Sequence, residues 1–417
     1  MFVRSAVLAL GARVLEQLLR GVGAGRRERP LVCARGHLAR NMQSRGVRSK
    51  SLHTILGPVR WQRSRHVCPE CGAVEYPGDE LLGVHGGGFS PGLRRLMTRA
   101  GSRESFAEAA EDLHTYGAIR VDAKDIERVS EAVGRRIDTW MRREASGAVL
   151  LADRQEPAAA GEPPMLYIAL DGTGVPMRKS ELIHTRGKGP DARATTREVK
   201  LGCCFTQTRV DEDGKPVRDP QSTSYVGAIE PSADFGNRLH AEAMRRGLGR
   251  ARKVAVLSDG AEYNATIARE HFPQATHIID FYHASEHLAD FIKDNTTPPC
   301  GEQLHEQCQD LLSDGRIEEL AAQMHDALPR SGPRRTSGLK AIAYFTQRAA
   351  QMRYGLFRQN RMFVGSGVIE AGCKTLIAKR LKQSGMFWTT AGANALIAAR
   401  CCIYSQRFEQ FWEDQAA

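Results

Sequence analysis

Three short apolar segments that each end in an aspartate constrain the fold of this chain more than any other feature. They read MLYIALD, VAVLSD and ATHIID, and they end at Asp171, Asp259 and Asp280. Short apolar runs that stop at a turn signal, such as the Asp-Gly pairs beginning at Asp171 and Asp259, are typical of buried strands. An isolated strand-end aspartate most often belongs to a turn, so the question is which of the three carboxylates do chemistry.

The segments around these aspartates predict a mixed α/β sheet. The predicted order is strand 165–171, strand 199–209, strand 222–229, helix 234–247, strand 253–258, a short helix and strand 275–280. Strands in series, followed by strands that alternate with helices, are typical of such a sheet. Residues 284–360 are predicted to be helical and to interrupt the sheet domain, and residues 361–417 are predicted to form a further helical block.

The basic residues are concentrated near the N-terminus. The chain has 417 residues and a net charge of +11, and its length allows two or three domains. Through His66 there are fourteen Lys and Arg against two Glu, a balance of +12, which leaves about −1 for the rest of the chain. A basic region at one end favours contact with a polyanion, and a solvated basic tail is the alternative.

Residues 1–30 are predicted to form a basic amphipathic helix, because apolar residues at 7, 10, 14, 15, 18 and 19 suit one helix face. The chain has no run of the roughly 18 to 20 apolar residues that a membrane span needs, and no signal or transit peptide is expected. Its ten cysteines do not make a disulfide scaffold in a chain of this length. These features predict a reduced, cytoplasmic protein.

A cysteine–histidine cluster in residues 31–88 predicts a zinc ribbon. The segment CARGH contributes Cys33 and His37, and CPECG contributes Cys68 and Cys71. Zinc prefers four soft or borderline ligands in a tetrahedron, which two closely spaced pairs can supply. The glycine that follows Cys71 lets the second loop turn tightly around a metal ion.

The fourth ligand and the metal site itself have alternatives. His66 or His53 could replace His37, and the two pairs could also be unrelated cysteines. The cysteines at 203, 204, 401 and 402 lie in apolar segments. They are expected in the core, where a free thiol behaves as a small apolar group.

Residues 89–145 predict three helices arranged like a helix-turn-helix, followed by a linker at residues 146–164. Ser90, Ser105 and Asp122 can each cap one of the helices. Such a module lays one helix in the major groove while basic residues hold phosphates. The residues predicted to contact DNA here are Arg94, Arg95, Lys124 and Arg128. A small helical bundle with solvated arginines is the alternative.

Glu370 is a candidate carboxylate of a third kind, at the start of a helix in VGSGVIEAGCKTLIAKRLKQSG. Its carboxylate could form an ordinary ion pair with Lys374, one helical turn further along the helix. Alternatively, it could be a metal ligand that faces the strand-end aspartates. Basic residues and an aromatic side chain in the same region could follow a DNA backbone and stack on an unpaired base. The predicted DNA contacts are Lys374, Arg380, Lys382 and Trp388. The alternative is a solvated helix with a core tryptophan.

Six segments, taken in order, resemble a known family. They are YIALDGTGVPM, TTREVKLGCCFT, YVGAIEPSADFG, VAVLSDGAEYN, DFYHASEHL and VGSGVIEAGCKTLIAKRLKQSGMFW. They are similar to segments of bacterial insertion-sequence transposases of the DDE class, most of all to the Kra-type group, which is related to Mutator-like transposases. TILGPV, CPECG, YPGDELLG and SPGLRRLM resemble the N-terminal zinc and helical region of that group. The resemblance covers nearly the whole chain.

The resemblance implies a multidomain chain. The zinc ribbon and the helix-turn-helix would come first. An α/β ribonuclease H-like core would follow, its first part at residues 165–283 and its C-terminal Glu helix at residues 361–417. An all-helical insertion at residues 284–360 would separate these two parts.

By the same resemblance, Asp171, Asp259 and Glu370 form a catalytic triad that holds two Mg²⁺ or Mn²⁺ ions. Phosphodiester cleavage and strand transfer need an activated water or 3′-hydroxyl and a stabilised leaving oxygen. Two hard cations about 3.5–4 Å apart provide both, and such cations prefer carboxylate oxygens.

The third strand-end aspartate is expected to have a different role. In the implied fold the strand of Asp171 neighbours the strand of Asp259, and the strand of Asp280 lies one further out. Asp280 and His283 match a motif of Mutator-like relatives and are expected to be supporting residues. His283 and His287, four apart on a predicted helix, could instead be a metal-binding pair.

The expected function is therefore binding to the ends of an insertion sequence, with metal-dependent DNA cleavage and strand transfer. The expected partners are double-stranded DNA, as transposon ends and as target, and further copies of the chain, because two ends must be paired. No membrane partner is expected, and the location would be a bacterial cytoplasm, at the nucleoid. The alternatives are a ribonuclease H-like structure-selective endonuclease and a DNA-binding regulator that has lost catalysis.

Overall fold

The computed structural model describes residues 2–21, 30–37, 41–84, 87–152, 165–183, 194–296 and 300–415. The chain folds as two compact units. The N-terminal unit comprises Met1–Arg136 and Phe408–Ala417, and the core unit comprises Ile137–Arg407.

The described elements comprise both strands and helices. The strands are β1 (Gln43–Thr54), β2 (Gly57–Val67), β3 (Val74–Glu75), β4 (Met165–Pro176), β5 (Thr196–Gln207), β6 (Arg209–Val210), β7 (Pro216–Val217), β8 (Ser224–Ala228), β9 (Val254–Ser258) and β10 (Thr276–Ile279). The helices are α1 (Phe2–Gly21), α2 (Pro77–Leu81), α3 (Pro91–Gly101), α4 (Phe106–Gly117), α5 (Ala123–Ala152), α6 (Ser232–Arg245), α7 (Glu262–His271), α8 (Phe281–Asn295), α9 (Cys300–Asp314), α10 (Ile317–Asp326), α11 (Pro333–Gln347), α12 (Tyr354–Gln359), α13 (Gly367–Gly372), α14 (Lys379–Leu381), α15 (Thr390–Tyr404) and α16 (Phe408–Asp414).

The core unit is built on a mixed sheet of five strands in the order β10-β9-β4-β5-β8. β4, β5 and β8 pair antiparallel, whereas β9 runs parallel to β4 and β10 runs parallel to β9. The strand centres are closed to solvent on both faces, with Tyr167, Ile168 and Ala169 all 0% exposed. Such continuous burial explains why the strands read as apolar runs rather than as alternating patterns. The predicted mixed α/β content is confirmed.

A long β-hairpin dominates the region that the sequence presents as loop-rich. β1 and β2 pair antiparallel from Gln43 with Val67 to Thr54 with Gly57, with one irregularity near Ser44. Only the half of the hairpin near the turn alternates between buried and exposed residues, whereas most of β1 is exposed and polar. The usual period-2 signal is therefore missing from much of the hairpin, and sequence patterning predicts only short pieces.

The helix predicted in residues 1–30 is present as α1, which ends at Gly21; residues 22–29 lie outside the described residues. The prediction of a single apolar face is wrong. Leu15 and Leu19 pack on a hydrophobic cluster built around the hairpin residue Trp61, whereas four of the other predicted residues are exposed. In the described part of the chain, no helix combines the length and the apolar character that crossing a membrane requires.

The three helices predicted in residues 89–145 are α3, α4 and α5. Ser90 caps α3, and Ser105 forms a capping box with Glu108 at the start of α4. Helix α5 continues to Ala152, so the first residues of the predicted linker at 146–164 are helical. They are rich in Ala and Leu, which are strong helix formers. Residues 153–164 lie outside the described residues.

The predicted helical stretch 284–360 contains most of α8, followed by α9 to α12. The final block differs from the prediction, because α16 belongs to the N-terminal unit and not to the core. Phe408 and Phe411 of α16 are buried, and Glu409 forms a 2.6 Å ion pair with Arg95 of α3.

His277 gives the core unit a defined sensitivity to acid. Its Nε2 lies 2.9 Å from Ser258 Oγ, and burial, with the nearby charge of Arg348, lowers the pKa of His277 to about 4. The unfolded chain binds a proton near pH 6.5, whereas the folded state resists it. Stability is therefore lost as the pH falls from about 6.5 towards 4.

The free energy of unfolding of the wild type should fall when the pH is lowered from 7.5 to 5. We expect this fall to be smaller in His277→Gln by on the order of 2 kcal/mol. Urea denaturation at the two pH values measures this difference. His325→Gln, which removes an exposed imidazole on α10, is the matched control. An unchanged pH dependence in His277→Gln would contradict the assignment.

Candidate functional site

Strand register brings the three aspartates close together where β9 and β10 end. The prediction that the first strand ends at Asp171 is wrong, because β4 continues to Pro176 and Asp171 pairs with Leu201 of β5. Ala169 of β4 pairs with Leu257 of β9, and two residues further this parallel register sets Asp171 level with Asp259. Ile279 of β10 pairs with Ser258, so Asp280 follows level with Asp259 on the other side. Adjacent strands are about 4.8 Å apart. Asp259 is therefore the central carboxylate, and Asp280 is two strands away from Asp171.

Asp171 is half-buried, and its carboxylate lies near two further carboxylates. Its Oδ1 accepts a 2.6 Å hydrogen bond from the Gly172 backbone, and the Cys373 thiol also donates to it. Burial raises the pKa of Asp171, and the negative charges of Asp259 and Glu370 raise it further. Asp171, Asp259 and Glu370 thus lie close enough to interact electrostatically.

Asp259 is held by the turn that follows its strand. Its Oδ1 accepts hydrogen bonds from the backbone of Ala261 at 2.9 Å and from the side chain of buried Asn264 at 2.7 Å. Gly260 between them has a φ of +83°, a conformation that glycine adopts without strain. Both bonds use Oδ1, which fixes the direction in which Oδ2 points.

Glu370 lies in the first turns of α13, and its Oε1 accepts a 2.8 Å hydrogen bond from Ser366 Oγ. Among the described residues, no ion pair joins it to Lys374. The helix then widens into a π-helical segment at Cys373–Ala378 before α14. Short π-helical segments inside α-helices occur frequently at functional sites.

Asp280 is only 2% exposed, and its carboxylate is occupied by backbone groups. Oδ1 accepts a 2.7 Å hydrogen bond from the His283 backbone, which caps α8, and Oδ2 accepts one from the Ser366 backbone. Because Ser366 in turn donates to Glu370, Asp280 acts on the candidate site through the loop that positions that glutamate.

His283 contributes its backbone to this network, and its imidazole points elsewhere. Its Nδ1 lies 3.6 Å from Glu286 Oε2, and its ring centre is 5.0 Å from that of His287. Neither histidine belongs to a metal-binding group of three or more ligands in the described residues. In the described part of the chain, no third ligand completes a metal site at His283 and His287.

One group of described side chains is already arranged to hold a metal ion. The ligand atoms of Cys33, His37, Cys68 and Cys71 all lie within 4.8 Å of one another. Cys33 Sγ is 3.7 Å from Cys71 Sγ, and Cys68 Sγ is 4.0 Å from His37 Nδ1. Three thiols and one imidazole form a donor set that suits zinc, so the cluster could hold a metal ion such as zinc.

Two tight turns bring these four ligands together. Gly36 and Gly72 have φ values of +84° and +69°, and their backbone N–H groups donate to the carbonyls of Cys33 and Cys68 at 3.0 Å. The alternative ligands His53 and His66 lie outside the group. The carboxylates of the core do not form such a group either. They are therefore not gathered closely enough for a single ion to contact all three.

Two of the residues predicted to contact DNA are buried in the core unit, so those predictions are wrong. Arg380 is 0% exposed, and its guanidinium lies 5.2 Å from the ring centre of Trp388. Trp388 is 7% exposed and donates a 3.0 Å hydrogen bond to the Leu381 carbonyl. By contrast, Lys374 and Lys382 are exposed. Lys382 donates to the Thr173 hydroxyl, two residues beyond Asp171 on β4.

The basic residues predicted in the N-terminal unit differ in their accessibility. Arg94 is half-buried and donates to the Gly83 carbonyl, so its guanidinium is already engaged within the unit, which argues against a DNA contact. Arg95 is engaged by Glu409. The side chains of Lys124 and Arg128 are 68% and 70% exposed, with ion pairs to acidic residues on their own helix. These last two fit a phosphate contact best.

Sequence reasoning missed a polar cluster next to Asp171. Tyr263 Oη lies 3.4 Å from Glu198 Oε1, and Lys200 Nζ lies 3.2 Å from Glu198 Oε2. Burial raises the pKa of Tyr263, and the charges of Glu198, Asp259 and Asp171 raise it further. The sequence did contain a hint of this cluster, because Tyr263 follows Asp259 closely, in the first turn of α7.

Comparison with known proteins adds no assignment. No protein-family model matches the chain, and no curated protein sequence matches it. The function is therefore argued from the geometry of the two sites.

We expect the purified chain to carry about one zinc ion, which Cys68→Ser loses because three ligands remain where structural zinc needs four. Elemental analysis after dialysis measures the metal content, and cobalt substitution gives thiolate absorption bands in the wild type only. Cys308→Ser, which alters a buried thiol of α9, is the control and retains the metal. Equal metal content in the three proteins would contradict a site at Cys68.

We expect Asp171→Asn to raise the free energy of unfolding in EDTA by on the order of 1 kcal/mol, because it removes a half-buried charge repelled by two others. Asparagine can still accept the Gly172 hydrogen bond. Millimolar Mg²⁺ should stabilise the wild type and not the variant. Thermal and urea denaturation measure both effects, with exposed Asp213→Asn as control. A less stable Asp171→Asn protein would contradict the electrostatic argument.

Proposed function

We propose that this chain is a DDE-class transposase of a bacterial insertion sequence. The observation that carries the proposal is the parallel register of β4 and β9, which sets Asp171 level with Asp259, together with Glu370 close enough to raise the pKa of Asp171. The strand order, with three antiparallel strands followed by two parallel ones, supports a ribonuclease H-like core.

The residues present fit a pair of divalent cations. Asp171, Asp259 and Glu370 are half-buried, and burial together with the charges of the other two raises the pKa of Asp171. A cation would neutralise this concentrated negative charge, and hard cations prefer carboxylate oxygens. When bound, Mg²⁺ or Mn²⁺ would activate a water or 3′-hydroxyl and stabilise the leaving oxygen.

The protein's own side chains have distinct roles in this proposal. Asp171, Asp259 and Glu370 would supply the oxygens that hold the cations. Asp280, acting through Ser366, would keep Glu370 in position as a supporting residue. Lys382 donates to Thr173 of β4, two residues beyond Asp171, and would bind a phosphate of the substrate backbone, which keeps the scissile bond near the carboxylates.

The N-terminal unit would bind the transposon ends. We propose that the cysteine–histidine cluster is the zinc site of a ribbon, and that α3 to α5 form the DNA-reading helices. The basic N-terminal region would contribute affinity that falls steeply with salt, because phosphate contacts release counterions.

Two other functions would use some of the same residues. A ribonuclease H-like endonuclease that acts on branched or distorted DNA would use the same carboxylates without regard to the flanking sequence. A DNA-binding regulator without catalysis is disfavoured, because clustered carboxylates repel DNA phosphates unless cations are present.

The decisive experiment uses the full chain, Mg²⁺ and a labelled DNA that carries the sequences flanking the gene. We expect the wild type to nick at the ends and to join them to a plasmid, and Asp259→Asn to lose both activities by at least a factor of about 10³, since a metal ligand is removed. Asp213→Asn is the matched control. Nicking that ignores the flanking sequence would favour the endonuclease, and binding without cleavage in every protein would favour the regulator.

The exposed lysines beyond Glu370 predict a second outcome. Lys382→Ala should weaken binding to a duplex of fixed sequence by about tenfold and reduce the slope of log K against log salt by about 1, because one phosphate contact is lost. Lys215→Ala, an exposed lysine 73% accessible on the β6–β7 hairpin loop, should change neither value. A salt titration followed by fluorescence anisotropy measures both. Equal slopes for wild type and Lys382→Ala would contradict the contact.

A further inference from the structure

Helix α1 carries a second apolar surface that no part of the described chain covers. This outer stripe consists of Val3, Val7, Leu10, Val14 and Leu18, whose exposed fractions are 74%, 62%, 63%, 52% and 64%. Single exposed valines or leucines are ordinary on a protein surface, whereas five of them on one face of a single helix are unusual.

The opposite face of α1 holds the helix in place. Leu19 is 9% exposed and joins Leu52, Val59, Trp61 and Val84 in a hydrophobic cluster. The partly buried Ala12 and Leu15 pack against the same cluster. Helix α1 is therefore ordered by contacts within its own unit, and the outer stripe is presented on a preformed helix.

The spacing of the outer stripe is that of a coiled-coil seam. Its successive intervals are four, three, four and four residues, which makes Val7 and Val14 a positions and Val3 and Leu10 d positions of a heptad. Leu18 falls one place after the next d position. A straight helix drifts by about 20° per heptad, which keeps Leu18 at the edge of the same seam.

We propose that the outer stripe of α1 pairs with the outer stripe of a second copy of this chain, as a short parallel two-stranded coiled coil. In a parallel coiled coil, valine at both a positions with leucine at the central d position favours two strands. A self-complementary stripe gives a closed, two-fold symmetric contact. Because α1 is already folded, pairing does not carry the ordering cost that makes short isolated helices marginal.

The width of the stripe argues for a helix partner rather than a lipid surface. At 3.6 residues per turn, the five residues lie within an arc of roughly 80°. A coiled-coil seam is this narrow, whereas a helix lying on a membrane or on a broad core presents an apolar face wider than about 100°. The inference does not depend on the proposed transposase activity, because pairing needs neither DNA nor a divalent cation.

The test measures the mass of the full chain by sedimentation velocity over a range of protein concentrations, without DNA. We expect a monomer–dimer equilibrium in the wild type and a dimer dissociation constant at least tenfold larger in Leu10→Glu. Ala9→Glu adds the same charge at an exposed c position of the same helix, away from the seam, and should change the constant by less than threefold. Circular dichroism checks that both variants remain folded.

The helix orientation is tested by oxidising Val14→Cys, which crosslinks two copies at an a position only if the helices are parallel and in register. The expected result is a crosslinked dimer above the wild-type background. A wild type that stays monomeric at high concentration would overturn the proposal. Binding to vesicles of acidic phospholipid that is lost in Leu10→Glu and in high salt, without dimerisation, would assign the stripe to a lipid surface instead.

Discussion

Negative charge from Asp171, Asp259 and Glu370 is concentrated at one edge of the core sheet. Burial and the charges of Asp259 and Glu370 all oppose ionisation of Asp171. The sheet cannot relieve this repulsion by a shift of register, because a slip of one residue would turn each buried side chain to the opposite face. Hydrogen bonds from the backbone of Gly172 and the side chain of Asn264 offset part of the cost. The rest of the cost is what a bound cation would remove.

The environments of the three aspartates separate their roles. Asp280 is nearly inaccessible, and both of its oxygens accept backbone hydrogen bonds, so it serves the fold. Asp259 uses one oxygen in its turn, and Asp171 is repelled by its neighbours. A carboxylate whose oxygens both accept hydrogen bonds stabilises the structure. Carboxylates that lie close together make the structure less stable, but their combined charge attracts cations.

Sequence reasoning predicted features that rest on local chemistry. The ends of β9 and β10, the caps at Ser90 and Ser105 and the cysteine–histidine cluster that could hold a metal ion are readable from short segments. The end of β4 is not, because the pairing with β5 carries the strand past the Asp-Gly pair. Features that depend on distant contacts were missed or wrong. The burial of Arg380 against Trp388 requires the fold of the whole C-terminal block. The division of α1 into two apolar surfaces requires knowledge of which residues the hairpin covers.

The π-helical segment at Cys373–Ala378 has a consequence for insertions and deletions in this helix. A π-turn contains about one residue more than an α-turn, so the segment accommodates one residue that would otherwise rotate the helix after it by roughly 100°. Loss of one residue within the segment would restore a regular helix and leave Arg380 buried and Lys382 exposed. Loss of one residue between the segment and Lys382 would instead rotate that lysine away from its present direction. The charges beside Glu370 therefore tolerate a deletion inside the segment and change with a deletion beyond it.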